Sequence, residues 1–543
     1  MDARYPRTLP GLFDRALRKY ADRPAIRDGT RSLSYADLDE RSASLADALG
    51  DLGVDTADRV GALLGNAAAS PVVDIGILRA GGARLPLNPQ HSTDELQYLI
   101  EDAGAATVIC DAARFDAVAA VSREIDSLRT VIVVGADDAA SAVEDTAVSQ
   151  AGADPADGVD VHRYEELLAR YDGDGDRPTP DPDGVAGHYY TGGTTGQPKG
   201  VCYSHRGLVE NVGAHLLEFG FDGDDVGLLT TPLSHSAGTF CWAALLGGGT
   251  VLLRDGFDPD DAAATIERAN VTWTFLVPTM LYRLLEADSL AAADLSSLDR
   301  IVYGAAPMRT DRLEAAIERI GPVFHQFYGQ TEVPNLIATF PPQEHARAAE
   351  AGDTERLRSA GTSCLRATVE IRDPETDDPL PPGEVGEVVV AAPYAFEEYY
   401  ERPDATAESL RDGWVYTGDV GTMDEDGYLT LLDRSSDVIV TGGMNVYSRT
   451  VERVLREYPE VTDAAVVGVP DDEWGEAVHA VVVPAGSTVD RESLREFADE
   501  RLAGYKKPKS YEVAESLPTT DLGKVDRNAL RDRYWEDEDR SIH

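Results

Sequence analysis

Five short segments carry residue types that could do chemistry, and the first two suit a phosphate chain. The first is Tyr189-Tyr190-Thr191-Gly192-Gly193-Thr194-Thr195-Gly196-Gln197-Pro198-Lys199-Gly200, an apolar lead running into glycines, threonines and a lysine. Glycines let backbone amides approach an anion, hydroxyls donate to it, and the ammonium adds a point charge. The Walker spacing G-x-x-x-x-G-K-[ST] is absent, and a plain flexible turn is the competing reading. The second is Phe327-Tyr328-Gly329-Gln330-Thr331-Glu332. Its ring suits stacking on a base and its carboxylate suits Mg2+ beside phosphates; a turn entering a helix capped by Thr331 is the alternative.

The third segment, Trp414-Val415-Tyr416-Thr417-Gly418-Asp419, reads as a strand ending in an acid, which suits either a pair of ribose hydroxyls or an ordinary strand-end turn. The fourth joins Asp433-Arg434-Ser435-Ser436-Asp437 to Thr441-Gly442-Gly443-Met444-Asn445, with the polar and glycine content of a hinge or a plain linker. The fifth, Gly523-Lys524-Val525-Asp526-Arg527, puts a lysine on a loop, normally just a solvated charge. Composition sharpens two of these. The chain has only six lysines, at positions 19, 199, 506, 507, 509 and 524, and its other basic residues are arginine. Lys199 and Lys524 are therefore kept against the trend.

The same composition excludes several function classes. Acids outnumber bases 97 to 49, a net charge of −48, which disfavours nucleic acid and anionic lipid as partners. No signal-peptide core or long uninterrupted apolar run occurs, so neither export nor integral membrane association is expected, and a cytoplasmic protein is the default. The four cysteines, Cys110, Cys202, Cys241 and Cys364, form no C-x-x-C pair and read as reduced thiols. An acidic, lysine-poor chain fits a high-salt cytoplasm of the halophilic archaeal kind, where salt screens self-repulsion; an acidic protein of a GC-rich genome is the alternative.

Elements must position these segments. At 543 residues the chain is too long for one core, and three or four domains or subdomains are expected. Residues 10–130 alternate helical signals (12–17 and 35–49, with Ser34 as N-cap) with short apolar runs at 60–64, 107–110 and 130–134, an α/β pattern with buried parallel strands. Residues 136–187 read as an acidic surface excursion with one helical piece at 164–168. Alternation resumes to residue 338, with strands at 226–230, 250–253 and 300–303. Residues 361–432 read as β-rich (368–371, 385–390, 414–417, 428–432). A smaller α/β unit follows: helix 450–456, strands 461–469 and 478–483, helix 491–502, and a charged, frayed tail at 535–543. The fold class is thus α/β, a large N-terminal part of two α/β subdomains and a β-rich one, with a small mobile α+β C-terminal domain. The expected division is 1–433, a hinge at 434–437, and 438–543.

Taken in this order, the five segments resemble the adenylate-forming superfamily of acyl-CoA synthetases, peptide-synthetase adenylation domains and firefly-type luciferases, from about Phe13 to Leu530. The resemblance implies ATP, Mg2+ and coenzyme A as co-reactants. It makes residues Thr191, Gly192, Gly193, Thr194, Thr195, Gly196 and Lys199 the phosphate loop, with Gly192 standing where the family has serine. Gly304-Ala305-Ala306-Pro307 would wall the adenine and acyl sites; Tyr328, Gly329 and Gln330 would flank adenine, Thr331 would contact the α-phosphate and Glu332 would hold Mg2+. Asp419 and Arg434 would grip the ribose. Gly442, Gly443 and Met444 would line the pantetheine channel after domain rotation, and Lys524 would complete the adenylation site. Ser436 stands at the hinge position, where the family carries Asp or Lys.

The acyl pocket is expected near 233–242, 303–306 and 333–335, with His235, Trp242, Tyr303 and Val333 as lining residues. Amino-acid-activating relatives carry an Asp about where His235 stands, and no acid occurs from Leu229 through Leu253, which argues against an amino-acid substrate. The activity implied is an ATP-dependent carboxylate–CoA ligase for fatty or aryl acids. An acyl-AMP ligase serving a carrier protein and a non-catalytic nucleotide-binding protein are the alternatives, and a homodimer stays open.

Overall fold

Apolar runs of four or five residues, each too short for a helix and bounded by turn residues, become buried strands with helices on either side. The computed structural model describes residues 6–29, 31–135, 155–191, 197–471, 474–519 and 525–535. Two compact units emerge. The first comprises Met1–Thr191, Lys199–Thr368 and Val390–Val415; the second comprises Val369–Val389 and Tyr416–His543.

The first unit contains two large sheets. One has eight strands in the order Glu398–Tyr399, Gly200–Ser204, Val185–Tyr190, Ala83–Pro86, Arg59–Leu63, Thr107–Asp111, Thr130–Val134 and Asp160–Arg163. From Val185–Tyr190 onward the neighbours are parallel; the first two strands are antiparallel additions. The other sheet has nine strands, parallel through its middle: Phe324–Tyr328, Arg300–Gly304, Trp273–Leu276, Val226–Leu229 and Thr250–Leu253. Ala338–Phe340 and Thr362–Ser363 extend one edge antiparallel, and Pro24–Arg27 and Ser32–Ser34 extend the other. The helix Tyr35–Asp51 starts on a capping box, Ser34 accepting from the Asp37 N–H and Asp37 accepting from the Ser34 N–H.

Two expectations need correction here. Residues 160–163 are not part of an excursion, since Asp160–Arg163 pairs in parallel with Thr130–Val134 as the edge strand. Its sequence, Asp-Val-His-Arg, has one apolar residue because an edge strand buries little. No helix follows Thr331 either: the chain runs through irregular turns from Tyr328 to the antiparallel strand Ala338–Phe340.

In the second unit the β-rich stretch forms a sheet that includes Val385–Ala391, Trp414–Met423 and Leu429–Arg434. The C-terminal part is a second sheet, in the order Met444–Val446, Ile439–Thr441, Gly475–Pro484 and Val461–Asp471, with Ser510–Val513 paired in parallel to Gly475–Pro484. Side chains alternate across it. Val466, Val478 and Ala480 join Val451, Leu455 and Leu494 on the face covered by helices Ser448–Arg456 and Arg491–Arg501. Val467 and Val481 meet Leu530 of helix Arg527–Trp535 on the other.

Candidate active site

The Gly/Thr segment lies between two strands that pair with each other. Val185–Tyr190 and Gly200–Ser204 pair antiparallel, with Tyr190 opposite Gly200. The loop is closed at its base, where the Thr191 N–H donates to the Lys199 carbonyl (3.0 Å) and the Lys199 N–H donates to Thr191 Oγ1 (3.1 Å). Gly192, Gly193, Thr194, Thr195 and Gly196 lie outside the described residues. Gly200 must be glycine, because a Cβ there would sit 2.1 Å from His188 Nε2. His188 is fully buried, and burial, with Arg59 nearby, lowers its pKa to about 4.

The Tyr328–Glu332 segment begins where the strand Phe324–Tyr328 ends. Gly329 approaches the backbone of Asn335 so closely that a Cβ would lie 2.4 Å from its carbonyl carbon. Asn335 takes a positive φ of 65°, tolerable for asparagine, and donates from Nδ2 to His215 Nε2 (3.0 Å). Gly304 lies opposite Phe327, and a Cβ on it would meet the Phe327 carbonyl oxygen at 2.5 Å. Ala305 has φ of 64° and is exposed, Ala306 half-buried.

The hairpin and this turn meet through Tyr399. Its ring lies under the Lys199 ammonium, 4.8 Å from Nζ to centroid, and its hydroxyl donates to Glu332 Oε1. Beside it, the Tyr203 hydroxyl donates to the Thr331 carbonyl, and the Phe396 N–H donates to the Glu332 carbonyl at 2.8 Å. Burial first, then the Glu332 carboxylate, pushes the Tyr203 phenol well above its ordinary range, so it stays a neutral donor. Among the described residues, Lys199 makes no ion pair and Glu332 Oε2 accepts no hydrogen bond. A cation and a carboxylate thus meet on one tyrosine with capacity to spare.

The acyl-pocket residues divide. His235 is half-buried at the N-terminus of helix Ser236–Gly247, with Nε2 3.3 Å from Asn88 Nδ2. Trp242 is fully buried: its indole N–H donates to Asp74 (3.1 Å), and Asp74 pairs with Arg84 in a buried ion pair. Tyr303 is also fully buried, its hydroxyl held by Gln326 Oε1 (3.0 Å) and His345 Nε2 (2.8 Å). Val333 is fully buried too.

In the second unit, Asp419 and Arg434 are direct cross-strand neighbours, with Arg434 Nε 2.9 Å from Asp419 Oδ1. Asp419 is nearly buried and Arg434 more open. Ser436 sits in the 3-10 turn Ser435–Asp437, its hydroxyl 3.4 Å from Asp437 Oδ1. Gly442 and Gly443 (φ 58° and 76°) are the two-residue loop of a hairpin that pairs Thr441 with Met444, a turn whose twist requires positive φ at both positions. Met444 is exposed. Lys524 lies outside the described residues.

Comparison with known proteins decides the family. Residues 13–400 match the AMP-binding enzyme family and residues 450–524 match the AMP-binding enzyme C-terminal domain. The chain belongs to the AMP-binding enzyme family. Within it, the chain is 35% identical over 539 residues to the medium/long-chain-fatty-acid–CoA ligase FadD8 of Mycobacterium tuberculosis, covering 97% of this chain and 90% of that protein. It is 38% identical over 514 residues to a feruloyl-CoA synthase of Amycolatopsis, covering 94% and 96%. Among solved structures, the amide bond synthetase McbA from Marinactinospora thermotolerans superposes with a TM-score of 0.84 at 34% identity, covering 97% of this chain and all of that one. Among the described residues, no helix is long and apolar enough to cross a membrane.

Tyr399, Tyr203 and His215 were not visible as site residues from sequence spacing, whereas Asn335 falls in the expected pocket segment 333–335. Tyr399 reaches the hairpin because Glu398–Tyr399 is a strand against Gly200–Ser204, almost two hundred residues away in the chain, and a two-residue strand leaves no periodic signal.

Proposed function

We propose that this protein activates a carboxylic acid with ATP as an acyl adenylate and passes the acyl group to the thiol of coenzyme A. The observation that carries the reading is the convergence of Lys199 and Glu332 on Tyr399, in a chain whose family relatives include fatty and aryl acyl-CoA ligases. A carboxylate oxygen attacks the α-phosphorus, the bond to the β-phosphate breaks, and pyrophosphate leaves. Both reactants are anionic, so positioning and charge compensation dominate, with no covalent bond to a protein nucleophile. Lys199 and the loop from Thr191 offset the phosphate charge, Tyr328 stacks near adenine beside Gly304–Ala306, and Thr331 donates to the α-phosphate. In the second unit, Asp419 and Arg434 hold the ribose hydroxyls and Lys524 serves this half-reaction alone.

Glu332 fits a Mg2+ ion, since its Oε2 is open among the described residues. No cluster of three or more His, Cys, Asp or Glu among those residues competes as a metal site. Phosphate oxygens and water would then complete the ion's coordination, and when bound it neutralises phosphate charge.

In the second half, the thiol sulfur attacks the adenylate carbonyl, the thiol proton passes to solvent, and AMP leaves. Gly442–Met444 then lines the pantetheine path, after rotation of 438–543 about the hinge 434–437, where Ser436 stands. His235 and Val333 bound the acyl site; Trp242 and Tyr303 support it from the core. The acyl group is a fatty or aryl acid, and the protein works in a cytoplasm of high salt.

The test is release of AMP and pyrophosphate against a panel of fatty and aryl acids in molar KCl, with and without CoA. CoA-stimulated AMP release with one acid class is the expected result; pyrophosphate release indifferent to CoA overturns the acceptor. The similarity to McbA favours one second reading, an amine as acceptor, which the same assay separates by adding an amine in place of CoA.

A further inference from the structure

We infer that Tyr399 is a positioning residue of the activation site: it holds the Lys199 ammonium on its ring and the Glu332 carboxylate on its hydroxyl, and so keeps the two from pairing with each other. The inference rests on the reading of Lys199 and Glu332 as phosphate- and metal-handling groups.

Lys199 and Glu332 are opposite charges resting on one tyrosine, both half-buried, and opposite charges attract more strongly there than in open water. A direct Lys199–Glu332 pair would withdraw the cation from phosphate and the carboxylate from a metal ion together. Tyr399 satisfies each charge with a different part of one neutral side chain. The ring face attracts the ammonium, and the hydroxyl makes a charge-assisted hydrogen bond to one carboxylate oxygen only. The ring contact is weaker than an ion pair with phosphate, so the ammonium leaves it when a polyphosphate arrives, while the hydroxyl keeps its hold on Glu332 Oε1 and leaves Oε2 for the metal ion.

The side chain is built to hold this place. Tyr399 is 5% exposed. Its backbone is fixed by pairing with Val201 and by its N–H donating to Thr406 Oγ1 at 2.9 Å. The Phe396 ring packs against it at 4.8 Å, and the Phe396 N–H holds the Glu332 carbonyl. Residues 396–399 therefore grip Glu332 at its main chain and at its carboxylate, and hold Lys199 as well.

The experiment compares the full chain with Tyr399→Phe, which keeps the ring and deletes the hydroxyl, and Tyr399→Leu, which deletes both contacts. Three readouts are taken: equilibrium binding of ATP across a Mg2+ titration, binding of AMP, and the thermal midpoint. Loss of a hydrogen bond to a charged group predicts that Tyr399→Phe raises half-saturating Mg2+ by roughly tenfold. AMP binding and the midpoint should stay at wild-type values. Tyr399→Leu should further weaken ATP binding, because the Lys199–Glu332 pair must then be broken. Superimposable Mg2+ titrations for wild type and Tyr399→Phe overturn the inference and leave the proposed function standing. A fall in the thermal midpoint of Tyr399→Phe with equal loss of ATP and AMP binding overturns it in favour of a purely structural role. Failure of the wild type to bind ATP removes the functional reading and the inference with it.

Discussion

In the first unit, the turn after Glu332 is held by neutral partners; in the second, the segment around residues 433–437 is held by charges. His215 donates from Nδ1 to the Asn211 carbonyl (2.8 Å) and accepts at Nε2 from Asn335. Asn211 Nδ2 then donates to the Pro334 carbonyl at 2.8 Å. Burial lowers the His215 pKa to about 4, so the ring is neutral and both nitrogens have the roles their partners need. In the second unit, Glu452 accepts two hydrogen bonds from Arg527 Nη2, both 2.8 Å, and one from the Val466 N–H at 3.0 Å. Asp437 faces Arg531 at 3.1 Å and Arg527 at 3.9 Å, and the fully buried Asp433 accepts from the Ser448 and Arg434 N–H groups. Burial opposes the Glu452 charge, yet Arg527 and Arg456 hold its carboxyl below the usual range. A neutral network is vulnerable to protonation; a charged one is vulnerable to loss of either partner.

Deleting one charge from the second network should have the largest effect. Glu452→Gln leaves Arg527 to the more distant Asp437 at 3.9 Å, and removing one partner of a buried pair costs about 3–5 kcal/mol. Urea unfolding of the full chain should show an early transition assigned to the second unit by limited proteolysis. Adding Arg527→Met should recover much of the loss; a Glu452→Gln chain as stable as wild type would erase the contrast between the units.

Acid should act on the first unit. His188, His205, His215 and His345 are each lowered from 6.5 to about 4, mainly by burial. As pH falls below 6.5, the unfolded chain takes up protons that the native histidines refuse until about pH 4. The unfolded state thus binds more protons, and stability must fall across that window. The check is the urea midpoint of the first unit at pH 7 and 5 in the same salt; equal midpoints would show that these histidines do not set its acid response.

Two smaller changes sharpen the comparison locally. Gly442→Ala puts a Cβ at φ of 58°, with Trp474 Cε3 2.4 Å away, and the left-handed backbone alone costs roughly 1–2 kcal/mol. The thermal midpoint should fall and the Gly442–Met444 turn should become more protease-sensitive. Ser34→Ala removes one member of the capping box in the first unit and should cost about 1 kcal/mol, read as a shift in the urea midpoint. A larger loss at Ser34 than at Gly442 would reverse the expected order.

Much of this organisation is legible residue by residue. The N-cap at Ser34, the helix at 164–168 and the buried strands at 107–110 and 130–134 follow from local hydrogen bonding and apolar runs. The scarcity of lysine singles out Lys199, which the hairpin base then carries toward Glu332. Less legible was Gly442-Gly443, read as hinge or linker: two glycines announce freedom, and only the pairing of Thr441 with Met444 turns them into a tight hairpin. Trp242 and Tyr303 read as pocket residues because they flank pocket segments, yet their polar atoms face Asp74 and His345 in the core. Spacing along a chain does not tell which side of a strand or helix holds a partner from elsewhere.

By itself, then, the sequence determined the alternation of elements, the acidic charge and the five segments whose residue types could do chemistry. These rest on local propensity, side-chain chemistry and charge, all properties of neighbouring residues. Tertiary structure alone decided that Tyr399 lies between Lys199 and Glu332, and that His215 fixes Asn335. It likewise decided that Arg434 meets Asp419 across a ladder. The first two join residues well separated in the chain, and the third joins the two strands of one hairpin. Strand register, helix packing and the cost of burying an unpaired polar group select them, and none of these acts until the core has formed.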